Sequence, residues 1–329
     1  MTGAPLGIVG AGAWGTALAN AAAAAGAPVV LWTRDPDHAR EMAQTRTNDR
    51  HLPGVPLADP VRPTSALTEL SGCDALLLVV PAQAVREVTT ALALVLPVHA
   101  PLVICAKGVE RETGFFLSDV VADLRPGSPV GALSGPSFAH DVAIGLPTAV
   151  TLAAPDPLLA AGLAARLSGR TLRVYHALDL RGVEIGGAGK NVLAIACGAA
   201  IGRGLGESAR AALTARGFSE LMRFARAYGG RAETLMGLSG LGDVVLTCAS
   251  PHSRNFAFGE RLGRGVPVTE AAGGRLVEGA ATADALVALA RARGLEMPVC
   301  AAVAALVAGR AGLDETMDAL MSRPLKAED

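Results

Sequence analysis

Short apolar runs recur through the first half of the chain, at 6–9, 29–32, 75–80, 102–106, 130–133, 148–152 and 171–175. They are continuous rather than alternating, the pattern of strands buried on both faces. Between them lie stretches with helical spacing of apolar positions, at 16–25, 82–96, 115–124 and 158–167. Strand and helix alternate for about 175 residues, which predicts an α/β unit on a doubly wound, mostly parallel sheet of Rossmann type. Beyond Asp179 helical spacing continues at 183–201, 210–228, 280–293 and 299–308, with no convincing strand. Two domains are expected, an α/β one over 1–180 and an all-α one over 181–329, with 326–329 as a frayed polar tail.

The first run ends in Gly10-Ala-Gly12-Ala-Trp-Gly15 and opens a helix. Gly-x-Gly-x-x-Gly in that setting lets backbone N–H groups approach a pyrophosphate at a helix N-terminus, and the run at 29–32 completes the βαβ unit. The first domain therefore reads as dinucleotide-binding. At the end of the second strand, Leu31-Trp32-Thr33-Arg34-Asp35 has no acid on the strand itself to hold a ribose 2′-OH and a guanidinium just beyond. Arg34 favours the 2′-phosphate of NADPH. Asp35, read as a turn residue before Pro36, keeps NADH open.

Composition removes several function classes. Half the residues are hydrophobic but only 3% are aromatic, so the core is Ala, Val and Leu. A net charge of −1 gives no footprint for nucleic acid or an anionic membrane. The longest apolar run, 192–201, is too short to span a bilayer. Cys73, Cys105, Cys197, Cys248 and Cys300 are widely spaced and read as reduced, buried thiols of a cytosolic protein. No metal is expected, because the six histidines lack metal-ligand spacing, and the absence of Gly-x-Ser-x-Gly argues against a hydrolase elbow.

Only three of the 29 basic residues are lysine: Lys107, Lys190 and Lys326. Arginine keeps its proton near neutral pH whereas a desolvated lysine can release it, so the two internal lysines are the candidates for proton chemistry. Lys190 lies among glycines and aliphatics in a small, apolar helical stretch, where an unpaired ammonium is expensive. Lys107 follows the run at 102–106, at the carboxyl end of a parallel strand, where ligands of such sheets gather. Ser134-Gly-Pro-Ser-Phe-Ala139 follows another, with Pro136 expected at a helix start. A second polar segment carries Asp243, Thr247, Ser253, Arg254 and Asn255. Ser253 is predicted to cap a helix beginning at Arg254 and Asn255, a ready phosphate site; an ordinary capped helix with a surface arginine is the competing reading.

Ten segments carry a wider resemblance: Gly10-Ala-Gly-Ala-Trp-Gly-Thr-Ala-Leu-Ala, His51-Leu-Pro-Gly, Val79-Val-Pro, Ala106-Lys-Gly, Leu133-Ser-Gly-Pro-Ser-Phe-Ala, Gly145-Leu-Pro-Thr-Ala, Gly189-Lys-Asn-Val, Leu246-Thr-Cys, Ser253-Arg-Asn-Phe and Val277-Glu-Gly. Together they resemble the bacterial NAD(P)-dependent sn-glycerol-3-phosphate dehydrogenases, nearly end to end. The resemblance implies reversible reduction of dihydroxyacetone phosphate to sn-glycerol 3-phosphate, feeding glycerophospholipid synthesis, in a cytoplasmic enzyme that works as a dimer. It implies that Ala13, Trp14, Arg34, Lys107, Ala139, Arg254, Leu276 and Glu278 line the coenzyme site beside Gly10, Gly12 and Gly15. Lys107, Gly135, Ser137, Lys190, Asp243, Ser253, Arg254 and Asn255 are then the substrate ligands. Lys190 becomes the proton acceptor in alcohol oxidation, with Lys107 and Asn191 on the same oxygen. Three positions depart from the family pattern: Ala13 where Ser is common, Thr33 where Gly is common, and Gly206-Glu-Ser in place of Gly-Asp-Asn.

Two other readings compete. A β-hydroxyacid dehydrogenase also joins a Rossmann domain to a helical one, but its lysine is followed by Asn a full turn later, whereas Asn191 follows Lys190 directly. A nucleotide-sensing protein without catalysis leaves Lys107, Lys190 and Asp243 without a purpose.

Overall fold

The computed structural model describes residues 4–321; Lys326 and the tail expected at 326–329 lie outside the described residues. The strands are β1 (Leu6–Val9), β2 (Val29–Trp32), β3 (Thr47–Asn48), β4 (Leu52–Pro56), β5 (Val61–Thr64), β6 (Ala75–Leu78), β7 (Leu102–Ile104), β8 (Val130–Ser134), β9 (Thr148–Ala153) and β10 (Leu172–Ala177). Eight of them form one sheet in the order β10-β9-β8-β7-β6-β1-β2-β5, while β3 and β4 pair antiparallel apart from it. Within the large sheet β9 runs antiparallel to β8, and the other pairs are parallel. Strand order reverses at β1, which pairs with β2 on one side and β6 on the other. Every residue of β1, β2, β6 and β7 is buried, as their unbroken apolar runs require.

The helices of this half are α1 (Ala13–Ala24), α2 (Pro36–Thr45), α3 (Val85–Ala93), α4 (Leu117–Leu124), α5 (Ala139–Ala143) and α6 (Pro157–Leu167). After β10 the described chain is helical: α7 (Leu180–Gly202), α8 (Gly206–Ala227), α9 (Ala232–Met236), α10 (Asp243–Cys248), α11 (Arg254–Gly263), α12 (Val268–Ala271), α13 (Glu278–Ala292), α14 (Pro298–Val307) and α15 (Leu313–Met321).

Several elements differ from the sequence expectation. Helix α1 begins at Ala13, inside the glycine motif. The helix expected over 82–96 is a 3-10 turn at Ala82–Ala84 followed by α3, which stops at Ala93 ahead of Pro97, whose ring disfavours helical backbone at the residue before it. Pro136 lies in the turn before α5, not at its start, because Gly135 at φ 149° first swings the chain around. Asp35 is a helix cap: its carboxylate accepts from the backbone N–H groups of Asp37 and His38 at the start of α2.

Helix α7 is longer than the apolar run at 192–201 suggested. It spans 23 residues and holds an 18-residue window of mean hydropathy 1.3, apolar enough to cross a bilayer by length and composition, but 78% of that window is buried inside the protein. Glycines let other chains close on it. A Cβ at Gly198 or Gly202 would overlap the carbonyl oxygens of Phe256 and Glu260 on α11, and one at Gly259 would overlap that of Ile195 on α7. Backbone therefore meets backbone along the α7–α11 seam, and the start of α11 is pinned beside α7. Glu184 ties α7 to the sheet half, accepting from Ser118 N at 2.8 Å and Ser118 Oγ at 2.6 Å; burial pushes its carboxyl up to about 6. All five cysteines are buried and free.

Candidate active site

Beyond the carboxyl ends of β7 and β8, three charged side chains meet. Lys107, three residues past β7, donates to Asp243 Oδ2 at 2.6 Å and to the Gly135 carbonyl at 3.2 Å. Lys190, in the middle of α7, donates to Asp243 Oδ1 at 2.9 Å and to Thr247 Oγ1 at 2.9 Å. The carboxylate is 1% exposed while the lysine side chains keep 15% and 11%, so the ammonium heads, not the acid, can face a ligand.

The local backbone explains how the acid reaches both lysines. A π-helical turn at Leu238–Gly242 leads into α10 and places Asp243 at its first position; such turns often mark functional sites. A Cβ on Gly186 would overlap the carbonyl oxygen of Ser239, so this turn also lies directly on α7. Thr247 stands one turn after Asp243 on the same helix face and donates to Oδ1 at 3.2 Å. The sequence reading passed over Thr247 as one hydroxyl among several; its i, i+4 spacing from Asp243 was the available signal.

Burial lowers the Lys190 ammonium most, with further lowering from Lys107 and partial opposition from Asp243, bringing it down to about 8. Burial alone would raise the Asp243 carboxyl, but the two ammonium groups outweigh it and hold it below the ordinary carboxylate value. The result is a lysine able to donate or accept a proton near neutral pH, beside a carboxylate that stays charged.

A chain of amides joins this cluster to α11 and α13. Asn191 Nδ2 donates to the Lys107 carbonyl at 3.2 Å, Asn255 Nδ2 donates to Asn191 Oδ1 at 2.8 Å, and Gly279 N donates to Asn255 Oδ1 at 2.9 Å. Ser253 Oγ caps α11 by accepting from Phe256 N at 3.3 Å, as predicted, and the exposed Arg254 is the first residue of that helix. Ser137 Oγ donates to the Gly135 carbonyl at 3.0 Å, which Lys107 also uses.

The coenzyme positions spread along the same sheet edge. Gly10 takes φ 116°, and a Cβ there would lie 2.5 Å from the Val79 carbonyl oxygen; at Gly12 a Cβ would meet nothing within 4 Å. The turn is thus packed on its inner side and open on its outer side, the shape a pyrophosphate needs at the N-terminus of α1. Ala13, Trp14 and Gly15 form the first turn of that helix, and the indole N–H of Trp14 is buried and has no partner among the described residues. Arg34 is exposed just past β2. Ala139 opens α5, which packs on α1. Leu276 is 42% exposed, and Glu278 begins α13 with Oε1 accepting from Ala82 N at 3.2 Å. These residues fit a dinucleotide lying across the reversal of strand order at β1, the general location for such sheets.

Two family models cover most of the chain: the NAD-dependent glycerol-3-phosphate dehydrogenase N-terminus matches residues 5–160, and the C-terminus of the same family matches 179–318. The chain belongs to the NAD-dependent glycerol-3-phosphate dehydrogenase family. A glycerol-3-phosphate dehydrogenase [NAD(P)+] of Methylobacterium radiotolerans is 62% identical over 98% of this chain and 98% of its own. One of Azorhizobium caulinodans is 58% identical with the same coverage. The crystal structure of a glycerol-3-phosphate dehydrogenase from Coxiella burnetii superposes with a TM-score of 0.93 at 40% identity, covering 97% of this chain and 99% of that one. The resemblance read from the ten segments is borne out, and so is the Rossmann-type sheet followed by helices. Membership makes the chain an NAD(P)-dependent oxidoreductase, and the comparisons support this reading over a β-hydroxyacid dehydrogenase.

Proposed function

We propose that the chain reduces dihydroxyacetone phosphate reversibly to sn-glycerol 3-phosphate and so feeds glycerophospholipid synthesis, with Lys190 as its general acid and base. The observation that carries this reading is the Lys107–Asp243–Lys190 cluster at the sheet edge, 2.6 and 2.9 Å across its two ion pairs. Residues 1–180 form the dinucleotide-binding domain and 181–329 the helical domain that supplies most of the substrate ligands.

In ketone reduction the Lys190 ammonium gives a proton to the developing alkoxide, becoming a neutral amine that regains its proton from water. In alcohol oxidation the amine takes the hydroxyl proton. Asp243 and Thr247 keep Nζ aimed, and Asp243 offsets part of the cost of burying two like charges. Lys107 polarises the carbonyl oxygen, and Asn191 positions it. Ser253, Arg254 and Asn255 at the start of α11, with Gly135 and Ser137 opposite, hold the substrate, and Arg254 with the helix terminus takes the phosphate. The nicotinamide ring, when bound, supplies or receives the hydride at C4.

The coenzyme is held at Gly10, Gly12, Ala13, Trp14, Gly15, Arg34, Lys107, Ala139, Arg254, Leu276 and Glu278, and NADPH is preferred to NADH. Support for that preference comes from Asp35, whose carboxylate is engaged by the α2 backbone and by Arg50 at 2.9 Å, while the exposed Arg34 is within the chain's reach of a 2′-phosphate beyond β2. The enzyme works in the cytoplasm as a homodimer. The test is NAD(P)H oxidation with dihydroxyacetone phosphate or 3-keto acids, NAD(P)+ reduction with sn-glycerol 3-phosphate or 3-hydroxy acids, and a no-substrate blank for each. Turnover confined to the phosphate pair supports the reading, and turnover of a keto or hydroxy acid in its place would overturn it.

A further inference from the structure

The small hairpin beside the main sheet delivers one side chain into the glycine turn. Asn48, on β3, is buried, and its Nδ2 donates to the Ala11 carbonyl at 2.9 Å and to Thr16 Oγ1 at 2.7 Å. Thr16 Oγ1 donates in turn to the Gly12 carbonyl at 2.9 Å. One amide therefore restrains two successive peptide units, Ala11–Gly12 directly and Gly12–Ala13 through the threonine. It reaches Ala11 from 37 residues away, outside the glycine motif.

The amide has only one way to face. The Ala11 carbonyl can only accept, so the NH2 group is turned to it and Oδ1 is turned to His38. Oδ1 lies 2.9 Å from His38 Nε2, which carries the proton of the neutral ring and leaves Nδ1 to accept from Thr33 Oγ1 at 3.5 Å, just past β2. Thr33, His38, Asn48 and Thr16 are all buried, and each donor in the series has its acceptor. A satisfied buried network of this kind holds its members in one arrangement.

Planar trans peptides convert that restraint into direction. The C=O and N–H of one peptide unit point opposite ways, so with the Ala11 and Gly12 carbonyls held by Asn48 and Thr16, the N–H groups of Gly12 and Ala13 point away from them. Away from them is the open side of the turn, where a Cβ at Gly12 would meet nothing within 4 Å. Resting on the coenzyme site assigned above, we propose that Asn48 is a positioning residue: by holding both carbonyls it aims the Gly12 and Ala13 N–H groups at the coenzyme pyrophosphate before the coenzyme arrives. The β3–β4 hairpin, which stands apart from the main sheet, is the mount for that amide. Donors set in place beforehand need no ordering on binding, so affinity is gained without a new contact.

The test uses Asn48→Leu, neutral and close in size, which removes the amide. Affinities are measured for NADPH and for adenosine 2′-phosphate, which shares the adenosine end and carries no pyrophosphate; NADH and adenosine take their places if the wild type prefers NADH. Asn48→Leu is expected to bind the dinucleotide about tenfold more weakly and the adenosine compound as wild type does, and to raise KM for the coenzyme far more than it lowers kcat. A side chain that served packing alone would lower Tm without separating the two ligands. Should leucine prevent folding, Thr16→Val, which cuts the link to the Gly12 carbonyl, is compared in the same way, with Thr16→Ser restoring binding. Equal weakening toward both ligands, or none toward either, overturns the proposal. If the wild type of the same preparation reduces dihydroxyacetone phosphate, that negative result leaves the dehydrogenase reading standing. A wild type that neither binds nor oxidises NADPH or NADH overturns both.

Discussion

Lys107 and Lys190 hold opposite oxygens of a single carboxylate, at 2.6 Å from Asp243 Oδ2 and 2.9 Å from Oδ1. Burial, with the Lys107 charge adding to it and Asp243 opposing in part, gives the Lys190 proton its mobility, and pH should report it. With Lys190 near about 8, ketone reduction, which needs the ammonium, should hold level below that pH and fall above it. Alcohol oxidation, which needs the amine, should rise through the same range. Stability has its own sign. The folded value lies below the ordinary 10.5, so the unfolded chain binds more protons between about 8 and 10.5, and the burial cost is full below that window and relieved as pH rises through it. Initial rates in both directions and urea unfolding across pH 7 to 10 check these points, and a flat reduction profile would refute the role of Lys190.

Exchanging Lys190 for arginine separates charge from proton transfer. Lys190→Arg retains a cation but cannot release its proton near neutral pH. Turnover is expected to fall by about 10²- to 10⁴-fold, with a smaller change in KM for dihydroxyacetone phosphate. Steady-state kinetics decide the matter, and near-normal kcat would remove Lys190 from the chemistry.

Loss of the shared acid should be felt first in stability. Asp243→Asn leaves two ammonium groups, at 15% and 11% side-chain exposure, with no counter-charge between them. Breaking a buried pair from one side costs about 3–5 kcal/mol. Thermal unfolding of the variant should show a loss of that order, smaller at pH 9 than at pH 7 because deprotonating Lys190 relieves part of the repulsion.

Arg254 is exposed at the start of α11 and is assigned to the phosphate. Arg254→Ala should raise KM for dihydroxyacetone phosphate about 10- to 100-fold, as expected for charge-assisted hydrogen bonds of about 1.5–3 kcal/mol, with kcat changed much less. An unchanged KM would return Arg254 to the role of an ordinary surface residue.

The seam between α7 and α11 offers a structural test. Gly259→Ala drives a methyl group into the Ile195 carbonyl. Overpacking of this kind costs about 1–3 kcal/mol, and because α11 must shift away from α7, KM for the phosphate substrate should rise together with a fall in Tm. A fall in Tm with unaltered KM would mean that α11 does not set the substrate site.

What the amino-acid sequence discloses depends on the range over which residues interact. The glycine turn, the buried strands and the Ser253 cap are local patterns, and each stands within a residue or two of where spacing put it. The scarcity of lysine picked out Lys107 and Lys190, but nothing in spacing tied either to Asp243, which is 136 and 53 residues away. The resemblance placed all three in the substrate site, and only tertiary structure supplies the shared carboxylate. Helix α2 was missed because Asp35-Pro36 reads equally as a turn and as a cap with proline at the first helical position. The π turn before Asp243 was illegible for another reason: Leu-Ser-Gly-Leu-Gly carries no periodic signal, and the close approach of its backbone to Gly186 is a tertiary contact.

With no side chain between α7 and α11 at Gly198 and Gly202, neither helix can slide without the other. On the proposed roles, the anchor for the ester and the amine that serves the carbonyl belong to one rigid body. The enzyme then works as a caliper, its jaws set by touching main chains. Candidate substrates are measured by the span from phosphorus to ketone before any wall of the pocket is consulted.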